Sequence, residues 1–483
     1  MKFVSTRTGI PATAPESVFQ GLAPDGGLFL PLISGEASNL QSSILSVQTL
    51  GDAEKFVCDA LFGDFPEAVR KDAIDRLLSR FPAEDPIPLV EKDGLHILEL
   101  FLGKTGAFKD VALSMLPVFM RHAANGKRVL ILTATSGDTG SAAMQGFAGV
   151  DGTEIIVFYP ATGTSRIQKL QMTTPSEANV HAVGIRGNFD DAQAAVKRIF
   201  ASKEISEAAA KAGITLSSAN SINTGRLVPQ IAYYILAGAK LSTTNCQQPT
   251  AFDVVVPSGN FGNILAAYYA KLLGSPIRRL VVASNVNDVL ARFVKTGVYD
   301  PGDRFTVTNS PSMDIRISSN VERLLWMLNY DGDVAAACAE VSRLMKDLKE
   351  KGRYELNEQA KAKLFADFVG GVATPEETEA EMRRMREAAD YLIDPHTAVA
   401  TFVAKKYQQG ELRSSTSHSN SSIPVVVAAT ATPYKFPETC LRAFGADVLT
   451  DPSPSFKDLE QLPIAQTRVC DVDKIDAEVT RLF

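Results

Sequence analysis

The run "RVLILTATSGDTGSAAMQGFAG", Arg128 to Gly149, holds the pattern from which the architecture follows. Its apolar stretch ends at Ala134, Thr135-Ser136-Gly137-Asp138-Thr139-Gly140 makes a turn, and small residues from Ser141 continue as a helix. The unit recurs as "TEIIVFYP" then "SRIQKLQM", "FDVVVPSG" then "NILAAYYAKLLG", and "RRLVVAS" then "VNDVLARFVKTG". Strands apolar along their whole length need cover on both faces. Their alternation with helices predicts an α/β fold with parallel sheets.

At 483 residues the chain exceeds one hydrophobic core, so two or three domains are expected. Its 45% hydrophobic and 22% charged residues are those of an ordinary globular protein. A net charge of -6 argues against a nucleic-acid partner, and no apolar run is long enough for a membrane span. Five cysteines (Cys58, Cys246, Cys338, Cys440, Cys470), scattered and without CxxC spacing, indicate reduced thiols and no zinc site. The opening "MKFVSTRTGIPATAPES" lacks a secretory core, so a cytoplasmic protein is expected.

Residues 1 to about 95 read as a separate N-terminal unit, with a turn at Pro24-Asp25-Gly26-Gly27 followed by helical patterns. Further on, Thr374, Pro375 and Glu377 predict a capped helix start, and "RSSTSHSNSS" (413–422) a surface loop. "VCDVDKIDAEVTRLF" is read as a final surface helix.

Three junctions bear the marks of anion sites. The turn 135–140 and the turn Ser258-Gly259-Asn260-Phe261-Gly262 each lead into a helix whose free amides favour negative charge. In "LSSANSINTGRLVPQ", Asn220, Ser221 and Arg226 form a third group, Arg226 bringing a charged fork. None of these is GxGxxG or GxxxxGK[ST], which disfavours a dinucleotide or a nucleoside triphosphate. In "KTGAFKDVALSML", Lys109 opens a run that reads as an amphipathic helix. A lysine buried beside an anion cradle has a lowered pKa and an amine free to attack a carbonyl. Pyridoxal phosphate suits such a site, needing a lysine for its Schiff base, amides for its phosphate and a partner for its pyridine nitrogen.

"GAFKD", "TATSGDTGSA", "SSANSIN" with Arg226, "VPSGNFGN", "SNVNDV" and "ATATPYKF", in that order after "FQGLAPDGGLFLP", resemble the threonine synthases. The resemblance spans nearly the whole chain and fits the long form with an N-terminal domain. It implies a fold-type II pyridoxal-phosphate enzyme, similar to the tryptophan synthase β chain, with two parallel-sheet domains and a small N-terminal α+β domain. The division it implies is 1–95 N-terminal, 96–112 with 235–483 as the large cofactor domain, and 113–234 as a small mobile domain.

By that resemblance Lys109 carries the cofactor and shuttles protons, and Phe108 stands near its ring. Ser258, Gly259, Asn260, Phe261, Gly262 and Asn263 hold its phosphate, and Thr430 meets its pyridine nitrogen. Ser136, Gly137, Asp138 and Thr139 take the substrate α-carboxylate, with Asp138 also near the cofactor's ring hydroxyl. Asn220, Ser221 and Arg226 grip a substrate phosphate. The implied activity is that of a carbon–oxygen lyase acting on phosphates, which converts O-phospho-L-homoserine and water to L-threonine and phosphate by γ-elimination and β-addition. A dehydratase, a phospholyase and a catalytically silent homologue are the alternatives. The chain departs from the family at Leu102-Gly103-Lys104-Thr105, where His-Gly-Pro-Thr is usual. Lys104 is there either a phosphate contact or a loop charge. His396, after Asp394-Pro395, is read as part of a helix start, and the sequence leaves monomer or homodimer open.

Overall fold

The structure, a computed structural model, describes residues 3–33, 44, 46–81, 83–243, 250–412, 423–445, 448–450 and 454–483. The serine-rich stretch 413–422 lies outside them, as does Cys246. Two sheets form the frame. The larger has, from edge to edge, Phe368–Val372, Ile277–Ser284, Phe252–Pro257, Val425–Ala429, Leu95–Glu99 and Leu89–Lys92. Only its last pair is antiparallel. The smaller has Arg468–Asp471, Val180–Arg186, Thr153–Pro160, Arg128–Ala134 and Ile214–Ser218, parallel throughout.

The side-chain period of two splits each strand between two cores. Val129 and Ile131 share a core with Met115 and Leu116 of helix Lys109–Ala124, while Leu130 and Leu132 pack with Ala192, Val196 and Ile199 of helix Phe189–Ala201. Val254 and Val256 likewise share a core with helices Gln230–Thr243 and Gly262–Leu272, and Val255 packs with Val399 and Val403 of helix Pro395–Gln408. Each such side chain contributes roughly 1.5–3 kcal/mol by leaving water, and a one-residue slip would forfeit a whole row. No helix among the described residues is long and apolar enough to cross a membrane.

Ahead of the two sheets, Pro11–Ala12, Phe3–Ser5 and Phe29–Pro31 form an antiparallel sheet beside helices Ala14–Gln20, Leu50–Leu61 and Glu67–Ser79. Asp25 makes the expected turn, accepting from Ser5 Oγ at 2.8 Å, Thr8 N at 3.1 Å and Gly27 N at 2.9 Å. Thr374 and Glu377 form the expected capping box, and Asp394 caps the helix that carries His396.

Three expectations need correcting. Helix Lys109–Ala124 is buried around most of its circumference, because helices Ala14–Gln20, Glu67–Ser79 and Asp138–Phe147 all pack on it. Leu89–Lys92, expected with the N-terminal unit, is an edge strand of the larger sheet. Arg468–Asp471, expected with the large domain and within a helix, pairs with Val180–Arg186 in the smaller sheet. Only Cys470 of that strand is buried, so its sequence carries no strand pattern. The helix that follows, Ile475–Thr480, buries Ile475 and Val479 in the smaller sheet's core.

Candidate active site

The carboxyl ends of strands from both sheets open on one cavity, the usual ligand position in parallel α/β folds. Phe108 and Lys109 enter it at the start of helix Lys109–Ala124, Asp138 and Thr139 at the start of helix Asp138–Phe147. Asn220, Ser221 and Arg226 follow strand Ile214–Ser218, the turn from Ser258 to Asn263 follows Phe252–Pro257, and Thr430 follows Val425–Ala429. Phe108 N donates to Thr430 O at 2.9 Å and Thr432 N to Gly106 O at 3.0 Å, which sets Lys109 and Thr430 on the same space.

Ser136, Gly137 and Lys104 stand outside the cavity. Gly137 has φ 154° and a Cβ there would lie 2.4 Å from the Gln168 side chain, so the turn into Asp138 needs glycine. Lys104 is exposed and shares its surroundings with Arg80 and Glu177. Thr105 N and Oγ1 donate to Asp110 at 2.7 and 2.6 Å, fixing the loop with Lys104 turned outward.

Lys109 Nζ lies 4.4 Å from the centroid of the Phe108 ring and 3.2 Å from Asp138 Oδ2. Burial pushes its pKa down; Asp138 opposes this, and the charges of Arg226 and Lys435 reinforce it. Asp138 is held from all sides. Its Oδ1 accepts from Gln168 Nε2 at 2.8 Å and lies 3.1 Å from Lys435 Nζ, and its Oδ2 also accepts from Ser312 Oγ at 3.2 Å. Burial alone would raise this carboxyl, but Lys435 and then Lys109 hold it well below the usual carboxylate range.

Across the cavity sit donors without acceptors. Arg226 is buried; its Nη1 donates to Ala219 O at 2.7 Å, its Nε has no partner, and no carboxylate among the described residues pairs it. Burial pulls its pKa down to about 10. Asn263 Oδ1 accepts from Tyr233 Oη at 2.6 Å and Tyr234 Oη at 2.7 Å, which leaves its buried Nδ2 unpartnered. Buried donors left unmade are costly, so a site that keeps two is built for an anion. Asn320 joins the two anion loops, Nδ2 donating to Ser221 Oγ and to Asn260 O, both at 3.0 Å. Arg323 stands behind it, with Nε on Phe29 O at 2.7 Å, Nη1 on Ser221 O at 3.2 Å and Nη2 on Ile222 O. The N-terminal sheet is thereby tied to the anion loops.

Sequence reasoning missed several residues. Ser312 arrives on a segment clasped by the "SNVND" motif: Asn285 Nδ2 and Asn287 Nδ2 donate to Asp314 Oδ1 at 2.8 and 2.9 Å, and Thr308 N to Asp314 Oδ2 at 2.8 Å. That segment lies so close to Gly259 that a Cβ there would meet Ser312 O at 2.6 Å. His396 lines the cavity although its caps marked only a helix start. Its Nε2 accepts from Ser312 N at 3.1 Å and its Nδ1 faces Asp394 Oδ1 at 2.7 Å, so the ring holds the segment in place. Gln168 and Lys435 lay in quoted stretches, and their spacing to Asp138 gave no sign of contact.

Pyridoxal phosphate fits these residues: an amine of lowered pKa, a glycine turn at a helix start and the unpartnered Asn263 Nδ2 share one cavity. A family model described as "Pyridoxal-phosphate dependent enzyme" matches residues 82–420, and one described as "Threonine synthase, C-terminal" matches 397–481. Fold and site define a pyridoxal-phosphate-dependent enzyme of fold type II. The chain is 35% identical to the threonine synthase of Saccharomyces cerevisiae, over 99% of this chain and 96% of that one. It is 36% identical to "Threonine synthase-like 1" of Homo sapiens, over 91% of this chain and 59% of that one. The structure of pyridoxal-phosphate-bound threonine synthase from Brucella melitensis matches with a TM-score of 0.84 at 35% identity, covering 100% of this chain and 99% of that one. The chain belongs to the threonine synthase family.

Proposed function

We propose that this chain converts O-phospho-L-homoserine and water to L-threonine and phosphate. The observation that carries the reading is Arg226: a buried guanidinium with an unpartnered Nε and no carboxylate partner among the described residues, in the same cavity as Lys109. When bound at Lys109, pyridoxal phosphate supplies the electron sink that acidifies the substrate's Cα and Cβ hydrogens and lets the γ-phosphate leave.

The chain's own residues do the rest. Lys109 takes the proton from Cα and delivers protons on its side of the substrate, helped by its lowered pKa. Asp138 orients that amine, and Gln168 and Ser312 hold Asp138. With the cofactor bound, the turn 258–263 would hold its phosphate and Thr430 would partner its pyridine nitrogen, while Asp138 and Thr139 at the start of helix Asp138–Phe147 would offer amides to the substrate carboxylate. Asn220, Ser221 and Arg226 bind the phosphate to be expelled, with Arg226 spreading the charge that develops as it leaves. Lys104, turned outward, is not in this set.

Residues 113–234, extended by the C-terminal strand and helix, form the unit that closes over substrate and excludes water until the late addition step. A cytoplasmic setting suits the buried thiols of Cys58, Cys338, Cys440 and Cys470.

The test follows free phosphate and threonine together in cofactor-loaded protein given O-phospho-L-homoserine. Equal release, lost in Lys109→Ala, supports the reading. Phosphate with 2-oxobutyrate in place of threonine would instead show a phospholyase.

A further inference from the structure

The Lys435 side chain is fully buried, at 0% exposure, with its amine facing Asp138. Its Nζ meets Thr105 O at 2.9 Å, Gln171 Oε1 at 2.9 Å and Asp138 Oδ1 at 3.1 Å. Three donors have three acceptors, so the group has no hydrogen left for a ligand. Asp138 lies between two lysines, Lys435 on Oδ1 and Lys109 on Oδ2. Asp110, a second carboxylate on which the charge of Lys435 acts, is engaged by Thr105.

The two cations differ in what the reaction asks of them. Lys109 changes charge whenever it joins the cofactor or moves a proton. Each time it is neutral, a carboxylate buried beside it would stand uncompensated, and would take up a proton itself unless another cation remained. The polar partners of Lys435 Nζ are Thr105, Gln171 and Asp138, none of them in the turn 258–263 or the Arg226 group. We propose that Lys435 is a positioning residue, a fixed buried cation that keeps Asp138 an anion so that Lys109 alone exchanges protons. The inference rests on Lys109 carrying the cofactor.

The test is an absorbance titration of the bound cofactor between acid and alkaline pH, without substrate, in wild type, Lys435→Met, Lys435→Arg and Lys435→Met/Asp138→Asn. Removing the positive charge on the far side of Asp138 raises the midpoint in Lys435→Met by about one to two pH units. Lys435→Arg, which keeps the charge, stays near wild type. The double variant returns toward wild type, because the carboxylate that needed the cation has gone. A Lys435→Met titration that matches wild type, or a double variant that fails to return, overturns the proposal. If Lys435→Met does not fold, the thermal unfolding of the cofactor-free proteins gives the answer. Folding restored by Asp138→Asn supports the proposal, and a double variant equally unfolded overturns it, since Lys435 would then matter for packing alone. A cofactor band that survives in Lys109→Ala would refute the cofactor attachment separately.

Discussion

Removing the two hydroxyls that face Asn263 distinguishes an amide held in one orientation from an amide that is merely present. In Tyr233→Phe and Tyr234→Phe, Asn263 Oδ1 keeps one donor, at 2.7 or 2.6 Å. The acceptor remains satisfied, so each single change costs at the low end for a hydrogen bond, about 0.5 kcal/mol or roughly twofold in affinity. In the double variant, aiming Nδ2 at an anion turns Oδ1 against two phenyl rings with no donor. The bound state then carries the desolvation of that oxygen, for a total of about 2–3 kcal/mol, or roughly 30- to 150-fold. The assay titrates cofactor-free protein with pyridoxal phosphate and with pyridoxal, which lacks the phosphate. Affinity for pyridoxal phosphate should fall far more in the double variant than the two singles together predict, while affinity for pyridoxal holds. Additive losses, or pyridoxal weakened equally, would refute the reasoning.

Other outcomes follow from the same geometry. Arg226→Gln should raise KM for O-phospho-L-homoserine by about 10² to 10³, the cost of about 3–4 kcal/mol for a buried charge-assisted contact, with the cofactor absorbance unchanged; an unaltered KM removes Arg226 from the phosphate site. Lys109 has a folded pKa below its unfolded 10.5, so the unfolded chain binds more protons between the two values and stability rises with pH there. Cofactor-free Lys109→Met should therefore melt above cofactor-free wild type at pH 7, with the gap closing as pH approaches 10.5; calorimetry showing a constant or widening gap contradicts this. Asp314→Ala frees the clasped segment at a cost of about 2–3 kcal/mol from several lost bonds, and should speed hydrogen exchange at the Ser312 amide; unchanged exchange would show that the clasp does not hold Ser312.

What the sequence revealed was whatever lies within one strand–turn–helix unit. The apolar run before Ala134 and the glycines after it are local facts, and they put Asp138 and the turn 258–263 at strand ends, where the cavity lies. Arg226 was legible because its neighbours Asn220 and Ser221 are donors too. Residues that act through space were not. Ser312 meets Asp138 from 174 positions away, with nothing in its own surroundings to mark it. Lys104 misled for a similar reason: its direction depends on the bonds of Thr105 to Asp110, not on its proximity to the motif. The strand Arg468–Asp471 escaped notice because an edge strand with one buried residue has no pattern to read.

Arg323 also sets a timetable for synthesis. Its Nε bonds the carbonyl of Phe29, 294 residues earlier in the chain. At roughly 5–20 residues per second, that carbonyl emerges about 15–60 s before its partner is made. Until then the N-terminal strands, already translated, have no guanidinium to join them to the Ser221–Ile222 backbone. Two parts of the cavity come later still, His396 and Thr430, the second near the end of the 483 residues. A ribosome that stalls midway thus releases a chain with its lysine and glycine turns but no assembled site. Such a fragment would compete for neither cofactor nor phosphate, and its unjoined strand edges would mark it for removal.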